Sequence, residues 1–177
     1  MATYKKGFKK QNPELLLLKT IVAIILAVLV IVGITALYAT FTRWQDYKNY
    51  ENIDYYTEVF DMVDSEDEEL QDYVIYVYGV NDETSQNIKL DVLKIGNKID
   101  DEMFFLLNAD ILTSNSTEQA TKDSEKAAFL ATLGIESLIK PMLIIVNDGE
   151  YSEKIVGTNN ILDTLAQIEE GTFEGFN

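Results

Sequence analysis

The 177-residue chain contains neither cysteine nor histidine. Without cysteine there is no disulfide, no thiol nucleophile and no thiolate metal ligand. Without histidine the usual general base near neutral pH is also missing, together with the commonest metal ligand. What remains for chemistry is carboxylates and lysines, so the expectation is a protein that is not an enzyme, with no catalytic residue, no cofactor and no metal site. Basic charge is equally scarce. Residues 45–177 hold eight lysines and no arginine against 29 acidic residues, a formal charge of −21. Such a surface repels nucleic acid and anionic headgroups, so no nucleic-acid partner is expected. The simplest reading of the acidity is a solubilising, self-repelling surface, with a cationic partner as the alternative.

What the chain does have is a run of 23 residues without a charge, TIVAIILAVLVIVGITALYATFT over 20–42. At 1.5 Å per residue a helix of that length reaches roughly 34 Å, enough for the ~30 Å hydrocarbon core of a bilayer. Residues 21–39 are expected to span it. Lys5, Lys6, Lys9, Lys10 and Lys19 precede the run, whereas only Arg43 and Lys48 closely follow it. That asymmetry keeps the N-terminus on the cytoplasmic side. A cleaved secretory signal has an apolar region of about 7–15 residues closed by small residues at −3 and −1. Here the run is longer, and a cut after Ala39 would leave Leu37 at −3. The expectation is therefore an uncleaved signal anchor: a single-pass cell-membrane protein with an extracytoplasmic C-terminal domain. A composition rich in Ile, Lys, Asn, Asp and Glu suggests a bacterial, low-GC Gram-positive source.

Four regions follow. Residues 1–19 form a basic cytoplasmic tail, 20–42 the transmembrane helix, 43–69 a juxtamembrane helix and acidic linker, and 70–177 the folded domain. Trp44, Tyr47 and Tyr50 stand where amphipathic aromatics mark the membrane–water interface. Tyr55, Tyr56, Val59, Phe60 and Val63 recur at helical spacing, which predicts an amphipathic helix over 54–63. DSEDEE at 64–69 reads as a solvated link. YVIYVYG over 73–79 reads as a buried central strand. Ile88, Val92, Ile95 and Ile99 then mark the apolar face of a helix that begins near Ser85. MFFLL at 103–107 is a second strand, 108–123 a polar loop and 125–133 a short helix. Strands over 142–146 and 151–156 around Asn147-Asp148-Gly149 make a β-hairpin. The last helix runs over 159–169, with Thr158 or Asn159 as its cap.

In this order and spacing, the segment KPMLIIVNDGEYSEKIVGTNNILDTLAQI resembles the C-terminal half of thioredoxin-like proteins. Lys140-Pro141, the apolar strand, Asp148-Gly149, Val156-Gly157 and the helix over 161–168 match that family's features in sequence. The resemblance extends over about 70–172 and implies an α/β thioredoxin-like fold, a central mixed sheet flanked by helices, behind one N-terminal transmembrane helix. It also implies that Pro141 occupies the cis-proline position beside the active-site helix. The family's Cys-x-x-Cys would fall on Asp82-Glu83-Thr84-Ser85, where neither cysteine is present. A dithiol is needed to carry two electrons through a mixed disulfide, so the fold is expected to be redox-inactive.

Asp82 and Ser85 suit a helix cap as well as they suit ligand binding. The acidic clusters 64–69 and 100–102 lack the alternating oxygens and central glycine of a calcium loop. Lys140 would face the inherited groove and offer a charge for a carboxylate. The resemblance implies a partner-binding groove formed by Val80, Asn81, Asp82, Ser85, Lys140, Pro141 and Met142, taking extended polypeptide. The expected function is a membrane-anchored, redox-inactive binding or accessory protein acting on exported or cell-surface partners. A chaperone-like holdase for exported polypeptides is the alternative, ahead of an enzyme with a non-thiol mechanism.

Overall fold

The structure, a computed structural model, describes residues 13–42, 45, 47, 50, 52–60, 72–100 and 103–176. The basic tail up to residue 12, Trp44, the acidic link over 64–69, and Asp101 and Glu102 lie outside the described residues. The chain divides into two units, 1–43 and 44–177.

The described residues of the first unit form a single helix, α1 (Pro13–Thr42), which begins seven residues before the uncharged run. Its stretch Pro13–Thr40 is long and apolar enough to cross a membrane. The run is apolar on every side and so presents no polar stripe for a soluble core. Three of its threonine hydroxyls bond to the helix's own backbone. Thr20, Thr35 and Thr40 donate to the carbonyls of Leu16, Ile31 and Ala36 at 2.9–3.0 Å, so none needs water.

The second unit is built on a four-stranded sheet. Its elements are β1 (Tyr73–Tyr78), α2 (Glu83–Asn87), α3 (Lys89–Gly96), β2 (Phe104–Asn108), α4 (Gln119–Thr132), β3 (Met142–Asn147), β4 (Glu150–Val156) and α5 (Thr158–Glu169). The strand order is β2-β1-β3-β4. β1 runs parallel to β2 and antiparallel to β3, and β3 pairs antiparallel with β4 around the Asp148-Gly149 turn. These are the mixed sheet, hairpin and element order that the sequence predicts.

β1 is buried along its whole length because alternate side chains enter two cores. Val74, Tyr76 and Tyr78 face Val92 and Leu93 of α3 and Ile161, Leu165 and Ile168 of α5. Tyr73, Ile75 and Val77 face Phe129 of α4, Leu133, Ile53 and Val59. Residue 53 belongs to a strip that the sequence places in a juxtamembrane helix. It is instead extended, with parallel bridges on either side of it from Asn52 to Leu106 of β2 and from Tyr55 to Thr113 in the loop beyond that strand. The backbone of 53–56 spends its hydrogen bonds on that edge, Ile53 N to Leu106 O at 2.8 Å and Tyr56 N to Thr113 O at 3.0 Å. An α-helical ladder cannot start with those groups engaged; within the predicted helix the described residues 54–60 form a 3-10 turn, Tyr56–Glu58, and 61–63 lie outside the described residues.

Tyr47 is a second departure. Rather than marking a membrane interface, it is 5% exposed within the first core. Tyr50 packs there too, its hydroxyl donating to Leu93 O at 3.1 Å. α4 starts six residues earlier than its apolar spacing indicates, since its first turn, Gln119-Ala-Thr-Lys, offers no periodic apolar residue. The N-cap of α5 is Gly157, at φ 92°, in place of the expected Thr158 or Asn159. Asn160 binds back to Val156 O at 3.0 Å.

Candidate functional site

Three segments converge where β1 and β2 end and β3 begins. The first is the turn from β1 into α2. Asp82 is the N-cap of α2, its Oδ2 accepting from the Ser85 backbone N–H and from Ser85 Oγ, both at 2.7 Å. Ser85 is fully buried, and its Oγ accepts from Gly79 N at 3.2 Å. Gln86 Nε2 reaches back to Val80 O at 3.0 Å. The positions where a dithiol would stand are therefore engaged in holding the turn, which is the capping role that their residue types favour.

The second segment carries Lys140 and Pro141. The Lys140-Pro141 peptide bond is cis, as the resemblance implies. Pro141 and Met142 are buried, and Met142 pairs with Val77 on one side and Val156 on the other. Lys140 Nζ lies 2.6 Å from Asp110 Oδ1, each side chain 31% exposed. The carboxylate that Lys140 recognises thus belongs to its own chain.

Asp110, on the third segment, was not singled out by sequence reasoning. Its Oδ2 accepts from Val80 N at 2.8 Å, and its own N–H donates to Asn108 Oδ1 at 3.0 Å. One carboxylate therefore ties the β1 turn to the cis-proline segment. The available signal was an acid two residues beyond the C-terminal end of a parallel strand, where open α/β sheets place their sites. Gly79 sits beneath this junction. A Cβ there would come within 2.8 Å of Lys140 Cδ and 3.0 Å of Asp82 Cβ, so only hydrogen fits without a shift.

The Lys140 hydrogen bond, followed by those from the backbone, holds the Asp110 carboxyl below its ordinary pKa. For a depressed carboxyl the pair contributes fully above the ordinary carboxylate value of about 3.9 and is lost as pH falls through the lowered folded value. The expected result is an Asp110 carboxyl 13C titration midpoint below that value, returning toward it in Lys140→Met. A midpoint unmoved by that substitution would show that Lys140 does not hold Asp110 in solution.

Apolar surface gathers around the same junction. In the described part of this unit the exposed large aliphatic side chains are Val80 at 51%, Leu90, Ile111 at 60%, Ile139 at 41% and Val156 at 42%. Four of these five lie on or beside the converging segments. Val80 is bonded to Asp110, Ile111 follows Asp110, Ile139 precedes Lys140, and Val156 is the β4 partner of Met142. Asn81 is exposed on the turn.

Behind the turn, the Tyr47 hydroxyl donates to Ser85 O at 3.1 Å and its ring stacks on Tyr78 at 3.9 Å. Burial pushes the Tyr47 hydroxyl well above the phenol range and that of Tyr76 up to about 12, so both stay neutral. Among the described residues no three acidic side chains gather closely enough to hold a metal ion.

No protein-family model and no curated protein matches the chain. Solved structures similar to it include thioredoxin 3 from Saccharomyces cerevisiae mitochondria, at 16% identity over 71% of this chain and 95% of that one, with a TM-score of 0.44. Thioredoxin from Schistosoma mansoni is 13% identical over 70% and 94%, with a TM-score of 0.44. Thioredoxin O2 from Arabidopsis thaliana is 16% identical over 71% and 95%, with a TM-score of 0.43. With β1 and β2 parallel, β3 antiparallel to β1, β4 antiparallel to β3 and a cis-proline opening β3, the second unit has a thioredoxin-like fold in which no thiol is present.

Proposed function

We propose that the chain is a membrane-anchored, redox-inactive accessory protein. Its extracytoplasmic domain holds an extended segment of an exported or cell-surface polypeptide at the junction of 80–85, 139–142 and Asp110, and it performs no catalysis. The observation that carries this reading is the grouping of Val80, Ile111, Ile139 and Val156 around a cis-proline edge whose polar side chains are already paired with one another. A site with its acid neutralised by its own lysine offers little to a small charged substrate. An extended peptide can instead lay alternate apolar side chains on the four aliphatic residues while its backbone bonds to the segment that precedes Pro141. The asymmetry of flanking lysines supports a cytoplasmic N-terminus, and the uniformly apolar α1 supports retention as an anchor.

Photo-crosslinking in native membranes tests this, with a photoreactive residue at Val80 or Ile139 and a control at Leu90, which is equally apolar and exposed on α3. One dominant adduct from Val80 and Ile139, absent from Leu90, is the expected result. A broad spread of exported polypeptides would identify a holdase instead. No adduct, or the same adducts from all three positions, would remove the groove from the account.

A further inference from the structure

Among its aliphatic side chains the proposed groove carries one ion pair, and that pair is reachable from solvent. Lys140 Nζ and Asp110 Oδ1 lie 2.6 Å apart with each side chain 31% exposed, so neither charge is sealed in a core. Both ends of the pair are held in place. The Lys140 stem runs beside Gly79, where a Cβ would come within 2.8 Å of its Cδ. Asp110 Oδ2 accepts from Val80 N at 2.8 Å, and the Asp110 N–H donates to Asn108 Oδ1 at 3.0 Å. Asp82 shares the space above Gly79, but its Oδ2 is taken by the N–H and hydroxyl of Ser85, and Asp110 is the acid that meets Lys140.

A pair fixed in this way changes what the groove selects. Lys140 belongs to the segment to which an extended ligand bonds, so its ammonium stands beside one side chain of that ligand. An acidic ligand residue finds the ammonium already occupied, and gains only by displacing a carboxylate oxygen held at 2.6 Å and leaving Asp110 without its cation. A basic ligand residue approaching Asp110 is repelled by the ammonium beside it. Val80, Ile111, Ile139 and Val156 around the pair make either charge costly to desolvate. An uncharged apolar residue meets none of these obstacles.

Resting on the groove reading above, we infer that Asp110 and Lys140 together determine the specificity of the groove: each cancels the other's charge, so that the groove takes an extended polypeptide whose residue opposite Lys140 is uncharged and apolar. Breaking the pair from either side uncovers the charge that remains, and the two breaks are opposite in sign.

The test is selection of phage-displayed random heptapeptides on the full chain in detergent micelles, at about 0.15 M salt, where exposed charges more than ~8 Å apart are largely screened. Asp110→Asn keeps an oxygen for Val80 N and removes the charge, while Lys140→Met keeps the stem and removes the ammonium. Both are expected to retain the near-ultraviolet circular dichroism of the folded chain. The wild-type chain should select alternate apolar residues with no excess of either charge at any position. Asp110→Asn should enrich Asp and Glu at one position about two- to fivefold over the wild type, the size of a partly exposed ion pair, and Lys140→Met should enrich Lys and Arg there by as much. The double variant should return to the wild-type profile. Single variants that select as the wild type does, or that both shift toward the same charge, would overturn the inference and leave the groove in place. A wild-type chain that already selects one charge would do the same. Loss of the folded spectrum in both single variants would assign the pair to stability and overturn it too. If none of the four forms enriches any peptide, the groove itself fails and this inference with it.

Discussion

Tyr47→Ala is expected to destabilise the thioredoxin-like unit by about 3–5 kcal/mol, the range found for truncating a fully packed aromatic side chain. The residue stacks on Tyr78, lies 6.1 Å from Tyr76, bonds to Ser85 O and carries Lys89 Nζ 4.8 Å above its ring. Removing it opens a cavity in the first core and leaves the carbonyl of Ser85 without its donor. Tyr47→Phe keeps the ring and loses only the hydroxyl bond, so its cost should be about 1–3 kcal/mol. The measurement is urea unfolding of the full chain in micelles, followed by the near-ultraviolet circular dichroism of the tyrosines. A domain of this kind has about 5–15 kcal/mol in total, so the alanine variant should lose much of its transition. A loss under about 1 kcal/mol, the size of ordinary surface substitutions, would return Tyr47 to the membrane interface where its sequence position puts it.

Gly96→Leu is the second large effect. Gly96 closes α3 and is buried, and a Cβ built on it would fall onto the ring of Phe104. Phe104 cannot withdraw freely, because it is a buried residue of β2 with Tyr50 set edge-on against it at 6.1 Å. Overpacking of this kind costs about 1–3 kcal/mol for small additions, and a leucine side chain should exceed that. Alanine at the same position gains up to about 1 kcal/mol of helix propensity, which offsets part of its clash. Gly96→Ala should therefore be mildly destabilising and Gly96→Leu severely so. Adding Phe104→Leu to Gly96→Ala should recover stability relative to the sum of the two single changes, the non-additivity expected of residues in contact. Strict additivity in a urea series would place the strain elsewhere.

The parts of the fold legible in the sequence are those in which one local signal sufficed. YVIYVY is apolar on both faces and can only be a central strand, and Asn147-Asp148-Gly149 between two apolar runs can only reverse the chain. In the predicted helix over 54–63 the apolar spacing of the described residues 54–60 is that of a helix, while the conformation at 54–56 is set by Thr113 and the neighbouring β2 backbone, which a local window does not contain. Tyr47 was misread for a related reason. Proximity to an apolar helix suggests an interfacial aromatic, and its stacking partner Tyr78 lies 31 positions away. At the candidate site, Asp82 and Ser85 were legible as a cap. Lys140 was placed at the groove, but its partner was not, since Asp110 is brought beside it only when β1 and β2 pair in register.

The strip beside β2 also bears on mechanics. It is the part of the sheet nearest in sequence to α1, so tension drawn along the chain from its N-terminal side meets the packed rings of Tyr47 and Tyr50 and then the backbone of 52–56. Ile53 N to Leu106 O, Thr113 N to Asp54 O and Tyr56 N to Thr113 O tie that backbone to β2 and to the loop beyond it. A pull on the chain is thus shared between two packed rings and the edge of the sheet, and the Tyr47 hydroxyl carries part of it directly to Ser85, in the turn that Asp82 caps.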